Sequence, residues 1–302
     1  MSEHPPAIAS AGTFALGRWQ VRRIGYGAMQ LSGDNVFGPP RDRDEALRVL
    51  RAAVEGGVNH IDTAQYYGPG IVNELIREAL HPYPGDLAIV SKVAARRDET
   101  GAVLPFDEPH QLRQGIEENL AALGTDRLAA VNLRMVDRTA APGKRFDAQL
   151  AALVQARDEG LIDGIGLSNI SREHLLRAVE QTQIVCVQNL FNLADQHSLD
   201  VLEECTDRGI AFVPFCPLGW PRGVQNRILT NPALTELGKR MGATPAQIAL
   251  GRLLDLAPEI LLIPGTSVLT HLTENLHTAS VRFDEASRKE LDREFPAPNR
   301  RA

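Results

Sequence analysis

Short apolar runs alternate with longer amphipathic stretches eight times along this chain, and nothing else in the sequence restricts its fold as tightly. The runs lie at residues 24–28, 59–62, 87–93, 128–133, 162–167, 184–188, 210–214 and 260–263, each the length of one strand. Between them, 43–55, 72–80, 111–123, 146–159, 172–180 and 198–208 read as helices. Leu47, Leu50, Arg51 and Val54, and again Leu112, Ile116, Leu120 and Leu123, follow the i, i+3/i+4, i+7 spacing of a single buried face. Gly56, Gly124, Gly160 and Gly209 each follow a helix end, where a left-handed cap suits glycine. Strand–helix alternation of this kind builds parallel strands joined by right-handed crossovers. Eight units in 302 residues predict an α/β chain closed as a (β/α)8 TIM barrel, which commonly takes about 250 residues as one unit.

Two additions to the barrel are expected. Residues 13–21, with Gly17 and Arg18 between two short alternating runs, predict an N-terminal β-hairpin that plugs the barrel's N-terminal mouth. Residues 285–295 predict a C-terminal helical extension folded over the other end. No linker rich in Gly, Pro or Ser divides the chain, so 1–302 reads as one domain, with 1–12 and 296–302 expected to be mobile.

Composition removes several functional classes. The formal charge is −6, with Lys and Arg dispersed among Asp and Glu, which argues against a nucleic-acid partner. No apolar stretch reaches the ~18 residues of a membrane helix, and the first ten residues lack the basic start and apolar run of a secretory signal. Cys186, Cys205 and Cys216 are widely spaced without a CxxC, as expected for reduced thiols of a cytoplasmic protein. No His, Asp and Cys cluster has metal-ligand spacing, so no metal is expected.

The chemistry concentrates at three residues. Residues 57–68 read GVNHIDTAQYYG, carrying Asp62 and Tyr67, and the next apolar run ends in Ser91 and Lys92. A phenol with a pKa of roughly 10 is a poor base but a usable acid at neutral pH. A nearby ammonium lowers that pKa, and a carboxylate can hold the ammonium in place. Such a set could protonate an alkoxide as it forms from a carbonyl. In barrels of this kind the active site lies at the C-terminal ends of the strands. Asp62 ends the second strand, Lys92 the third, and Tyr67 sits just past the second. Taken singly, each has a plainer reading: Asp62 as a helix cap, Tyr67 as packing, Lys92 as a snorkelling surface residue. His60 alternates away from Asp62 and reads as structural. Trp19 is expected to pack in the hairpin and Trp220 to line the substrate mouth or to pack, with Asp34, Asn35 and Phe37 of loop 30–40 as candidate pocket wall.

Six motifs, in order, extend this reading: DTAQYYG at 62–68, Lys92, GLSN at 166–169, Gln188 in VQNLFN, Phe215 in PFCPLG, and IPGTSVLTHLTEN at 263–275. Together they resemble the aldo-keto reductase superfamily over nearly the whole chain. The resemblance implies 4-pro-R hydride transfer from a nicotinamide cofactor to a small carbonyl substrate, with Tyr67 as acid, Lys92 as its tuner and Asp62 as orienting anion beside the cofactor. It further implies that Ser168, Asn169 and Gln188 hold the carboxamide and that Phe215 stacks on the nicotinamide. Gly27, Ala28 and Met29 would lie near that same end, with Cys216, Pro217, Leu218 and Gly219 along the pyrophosphate and Ile263 also against the cofactor. Gly265, Thr266, Ser267, His271, Glu274 and Asn275 would surround the adenosine phosphate.

Two positions depart from the family pattern. Arg134 stands where relatives carry histidine, within AAVNLRMVD at 129–137. A guanidinium stays protonated, so it can orient a carbonyl but cannot donate and recapture a proton. It is also expected to depress the Tyr67 pKa, with Asn132 bracing it, or else to pair with Asp62 or Glu74. The NLRM stretch resembles a bacterial branch associated with pyridoxal reduction. Gly265 and His271 replace the lysine and arginine that many relatives place at the 2′-phosphate, leaving backbone N–H groups and hydroxyls to bind it. NADPH is the expected cofactor, with NADH as its competitor. The rival functions are a biosynthetic ketoreductase or dehydrogenase on a larger substrate, and a nicotinamide-binding sensor subunit with slow turnover. A monomer or small homo-oligomer is expected.

Overall fold

The computed structural model describes residues 7–219 and 227–297. A hairpin of β1 (Thr13–Leu16) and β2 (Trp19–Arg22) opens the fold, paired antiparallel from Thr13↔Arg22 to Leu16↔Trp19. Its Leu16 and Val21 pack with Ala88, Ala129, Val185, Ala211 and Leu261, which lie at or just before the N-terminal ends of barrel strands. The hairpin therefore seals the bottom of the ring, as the sequence predicts. Trp19 fixes its edge by donating from Nε1 to Asp163 Oδ2 at 3.0 Å.

Seven parallel strands form the wall: β3 (Tyr26–Gly27), β4 (His60–Asp62), β5 (Ala88–Arg97), β7 (Ala130–Arg134), β8 (Ile165–Ser168), β9 (Cys186–Leu190) and β10 (Ala211–Phe215). The eighth stave, at 260–262, joins both open edges through the parallel bridges Phe212↔Ile260 and Ile24↔Leu262. Leu261 N donates to Phe212 O at 2.9 Å and Gly25 N to Leu262 O at 2.7 Å, so the ring closes. The first and last staves are shorter than expected. Ala28 already starts a 3-10 turn (Ala28–Leu31), and the backbones of Gly27 and Gly265 meet so closely that a Cβ on Gly27 would sit 2.5 Å from Ile263 O.

One strand was not anticipated. Beyond Val93, β5 leaves the ring at Ala94, whose φ of +81° is left-handed, a conformation costing an alanine about 1–2 kcal/mol. From there β5 pairs antiparallel with β6 (Val103–Phe106), from Ala94↔Phe106 to Arg97↔Val103. This puts a hairpin at the C-terminal mouth.

The helices are α1 (Arg43–Glu55), α2 (Ile71–Leu80), α3 (Pro109–Leu123), α4 (Lys144–Asp158), α5 (Arg172–Val179), α6 (Leu199–Arg208), α7 (Pro232–Met241), α8 (Pro245–Leu256), α9 (Leu269–His277) and α10 (Glu285–Glu294). Three of these, α7 to α9, lie outside the helices expected from apolar spacing. Two of the three are nonetheless announced by their caps. Asn231 accepts from Leu234 N ahead of Pro232, and Thr244 and Gln247 form a capping box ahead of Pro245. Gly124 and Gly209 are left-handed caps as expected, whereas Gly56 stays right-handed at φ −73°. The expectation that 1–12 is mobile fails for its described part: Ala7–Ala11 form a 3-10 turn, Ile8 is fully buried, and Ser10 Oγ donates to Ala279 O at 2.8 Å. Residues 1–6 and 298–302 lie outside the described residues.

Between the wall and α2/α3 runs a buried polar network. Asn119 Oδ1 accepts from Ser91 Oγ at 2.5 Å and from Asn73 Nδ2 at 2.9 Å, while Asn73 Oδ1 accepts from Thr63 Oγ1 at 2.8 Å. Thr63 and Ser91 are the chain neighbours of Asp62 and Lys92, so the network anchors the backs of both strands where those residues emerge. Replacing Asn119 with leucine leaves the Ser91 hydroxyl buried without its acceptor. Asn119→Leu should lower unfolding free energy by about 2–3 kcal/mol in urea denaturation, the cost of stranding buried polar groups.

Candidate active site

Asp62 and Lys92 emerge side by side at the C-terminal mouth, because β4 and β5 pair His60↔Ala88 through Asp62↔Val90. Lys92 Nζ donates to Asp62 Oδ1 at 2.5 Å and to the Thr63 carbonyl at 2.8 Å. Gln188 Nε2, reaching from β9, donates to Asp62 Oδ2 at 2.7 Å. The Lys92 and Asp62 side chains are 3% and 4% exposed, so neither the snorkelling lysine nor the helix-capping aspartate survives as a reading. A pair this deep is tolerable because the ions meet directly and each carboxylate oxygen has a donor.

Tyr67 follows in the turn after β4, buried, with its ring edge-on to Tyr66 at 5.3 Å and Lys92 Nζ 5.1 Å from its centroid. The expected depression of its pKa does not hold. Burial first, then the Asp62 carboxylate, push the phenol well above its ordinary value, outweighing the opposing pull of Arg134 and Arg97. The physical reason is first the burial of the hydroxyl, which disfavours a phenolate, and then the nearby Asp62 carboxylate. Tyr67 is therefore a protonated phenol at neutral pH.

Arg134 ends β7, two residues beyond the fully buried Asn132 and so on the same face, directed to the mouth. Among the described residues it makes no hydrogen bond or ion pair; both Asp62 oxygens belong to Lys92 and Gln188, and Glu74 does not reach it. Asn132 does not brace it either. Its Oδ1 accepts from Cys186 Sγ at 3.3 Å and its Nδ2 has no partner.

The remaining expected residues form an arc from β8 round to α9. Ser168 ends β8, buried, and Asn169 follows at φ +55°, its Nδ2 donating to Met135 O at 2.7 Å. Phe215 ends β10 half-buried, and the turn through Cys216 (φ +50°), Pro217, Leu218 and Gly219 (φ +85°) is held by Asn192 Nδ2 donating to Cys216 O at 3.1 Å. Gly27, Ala28 and Met29 face Ile263 and Gly265 across the first and last staves, and Tyr26 locks them by donating to Thr266 O at 2.6 Å. Thr266 and Asn275 are buried, Glu274 is half-buried, and Gly265, Ser267 and His271 are exposed. A nicotinamide fits the donor set at β8 and β9: Ser168 Oγ and Gln188 Oε1 have no hydrogen-bond partner among the described residues, leaving a donor and an acceptor for a carboxamide. Trp220 lies outside the described residues.

Two residues escaped the sequence reading. Glu45 of α1 accepts from Leu269 N at 3.2 Å, at the start of α9. Arg97, beyond the bend in β5, donates from Nε to Tyr66 O at 3.2 Å and from Nη1 to Gly101 O at 2.5 Å. The arginine is visible in AARR at 94–97, but only the unforeseen hairpin brings it to the site.

Comparison with known proteins agrees with this arrangement. A family model described as the aldo/keto reductase family matches residues 23–294. Pyridoxine 4-dehydrogenase of Escherichia coli (strain K12) is 44% identical over 285 residues, covering 94% of this chain and 98% of that protein. An uncharacterized oxidoreductase of Schizosaccharomyces pombe is 35% identical over 95% of this chain and 90% of its own length. Among solved structures, a thermostable aldo-keto reductase in complex with the inhibitor epalrestat superposes with a TM-score of 0.79 at 31% identity, covering 93% of this chain and 98% of its own. An aldo/keto reductase from Klebsiella pneumoniae in complex with NADP and acetate shares the fold, with a TM-score of 0.79 at 23% identity and coverages of 96% and 97%. Among the described residues no helix is long and apolar enough to cross a membrane, and no cluster of metal-ligating side chains occurs.

Beneath the pair, His60 is fully buried with Nδ1 unpartnered, and burial lowers its pKa to about 4. It is therefore neutral in the folded protein and takes up a proton on unfolding at mildly acid pH. Since the unfolded chain binds more protons below 6.5, stability is complete above that pH and falls as pH drops from 6.5 toward 4. The unfolding free energy from urea denaturation should decline across that window by an amount on the order of 3 kcal/mol, and His60→Gln should flatten the decline.

Proposed function

The chain belongs to the aldo/keto reductase family, and from that premise we propose that it reduces an aldehyde to an alcohol with NADPH, using Tyr67 as the proton donor. The observation that carries this reading is a buried, protonated Tyr67 beside a lysine already neutralised by Asp62. The arc from Ser168 to Asn275 would hold NADPH, whose chemistry would be the supply of a hydride to the carbonyl carbon. Tyr67 holds the proton that the carbonyl oxygen takes up as it becomes a hydroxyl, and the phenolate left behind is reprotonated from water. The Asp62–Lys92 pair stays under the ring as that phenolate forms but, being ion-paired, adds little net charge there.

Arg134 polarises the carbonyl without exchanging a proton, a role its permanent charge and unpaired guanidinium suit. The raised phenol pKa keeps the proton on Tyr67 at neutral pH, which is the form that carbonyl reduction requires. The substrate we favour is a pyridoxal-like aromatic aldehyde, because the E. coli relative is named a pyridoxine 4-dehydrogenase. NADPH is favoured over NADH because the Klebsiella neighbour was solved with NADP.

The test is cofactor consumption, with NADPH and NADH in parallel, against a panel of aldehydes that includes pyridoxal. Multiple turnovers are expected, and Tyr67→Phe should reduce kcat by about 10²–10⁴-fold, the usual contribution of a general acid. Single-turnover oxidation with every aldehyde would instead favour a sensing role, and undiminished turnover by Tyr67→Phe would remove the tyrosine from the mechanism.

A further inference from the structure

We propose that Arg97 and Arg134 together form an anion-recognition site at the mouth beside Tyr67, so that the preferred substrate is a carbonyl compound bearing an anionic oxygen as a carboxylate, phenolate or phosphate. The inference rests on the reductase reading of the same site and adds the charge class of its substrate.

Arg97 reaches the mouth from the β5–β6 hairpin and Arg134 from the end of β7. Their strands are neighbours on the ring, β5 and β7 pairing from Val90↔Ala130 to Val93↔Leu133, and beyond the bend Arg97 returns to the site by bonding Tyr66 O beside Tyr67. Arg97 is fastened by two backbone carbonyls, Tyr66 O at 3.2 Å and Gly101 O at 2.5 Å, which set its position without neutralising its charge. Nη2 of Arg97 and the whole guanidinium of Arg134 have no partner among the described residues. Each arginine bears electrostatically on Tyr67, and each on the other.

Two half-buried like charges side by side destabilise a fold unless an anion lies between them. Among the described residues no carboxylate pairs with either. Asp98, next in sequence to Arg97, is turned onto the Thr100 hydroxyl and the Thr100 and Ala102 amides. Burial and Arg134 both lower the Arg97 pKa, with only Tyr66 and Tyr67 opposing and no carboxylate among the causes. Among the residues outside the described ones, 220–226 contain no acid and Glu3 is the only acidic residue in all of them. The cofactor's phosphates do not account for the pair either. The residues assigned to them follow the seventh and eighth staves, three and four places round the ring from β7, the fourth.

The hairpin that delivers Arg97 depends on the left-handed Ala94, a strained alanine where an uninterrupted strand would carry the chain away from the mouth. Strain of this kind is retained where the surroundings over-determine it, at ligand clamps among other places. A guanidinium fork matches two oxygens of a carboxylate or phosphate, and a pair of forks flanking the phenol would hold the carbonyl over Tyr67.

The experiment compares 4-formylbenzoate with its uncharged methyl ester, as kcat/KM with NADPH and as equilibrium binding by calorimetry with NADP+ present so that nothing turns over. In the wild type the carboxylate should be preferred by about 10–100-fold, the worth of a charge-assisted hydrogen bond. That preference should reside mainly in KM and shrink as salt is raised. Arg97→Gln should reduce the preference at least about tenfold, and Arg97→Lys, which keeps the charge without the fork, should retain an intermediate part of it. Thermal unfolding identifies a variant that merely fails to fold, in which case Arg97→Lys and the salt series decide. Equal use of acid and ester by the wild type, or a preference unchanged in Arg97→Gln and Arg97→Lys, overturns the anion site while leaving the reductase reading intact. Absence of turnover with either aldehyde overturns the reductase reading, and the calorimetric preference still decides the anion site.

Discussion

The buried contact between Lys92 and Asp62 is the interaction on which the rest of the site depends. Two ions at 2.5 Å with almost no exposure survive only if every remaining lone pair and proton is satisfied. The Thr63 carbonyl takes a second Lys92 proton and the Gln188 amide caps the other Asp62 oxygen, which couples β4, β5 and β9 across the ring. Behind the pair, the Thr63–Asn73–Asn119–Ser91 network fixes the strands from the helical side. The pair is thus gripped from inside the barrel and from outside it, so its geometry is a property of the closed fold and not of a local loop.

That arrangement also determines what kind of acid the tyrosine can be. A free ammonium beside Tyr67 would favour the phenolate, but an ammonium bonded to a carboxylate presents little net charge at the ring. With burial added, the phenol stays protonated. The charge that changes during reaction must then be met from elsewhere at the mouth, where Arg97 and Arg134 stand without counter-ions. The replacement of histidine by arginine at position 134 consequently reads as a division of labour. On the proposed mechanism, Tyr67 would keep the proton chemistry and Arg134 would supply only charge.

The barrel was legible because its signal is repeated: eight apolar runs at strand length leave few alternatives, and Asp62, Tyr67 and Lys92 fall at strand ends once those runs are accepted. The β5–β6 hairpin was hidden because the chain gives no glycine or proline at the bend; Ala94 adopts φ +81° under tertiary constraint, which local propensity does not encode. Arg97 was hidden with it. The direction of the Tyr67 shift was misjudged for a different reason, since sequence spacing brings Lys92 near Asp62 and Tyr67 alike but does not rank the two partners. Asn132 illustrates the same limit: alternation places it on the face of Arg134, yet one layer deeper it meets Cys186.

The adenosine end of the arc is governed by the same accounting of donors and charges. The start of α9 offers backbone N–H groups of the kind that bind phosphate, and Thr266 and Ser267 add hydroxyls. One of those N–H groups, on Leu269, already donates to Glu45, a carboxylate that also holds Arg48 Nη2 at 2.7 Å. An anion approaching this helix therefore meets an acid with its own counter-ion attached. If the Glu45–Arg48 pair opens, Arg48 becomes the cation that Gly265 and His271 do not supply. If it stays closed, the two charges offset one another and Arg48 is not available to a 2′-phosphate. The Glu45–Arg48 pair therefore bears on any anion bound at the start of α9, and its low intrinsic worth lets it open at little cost.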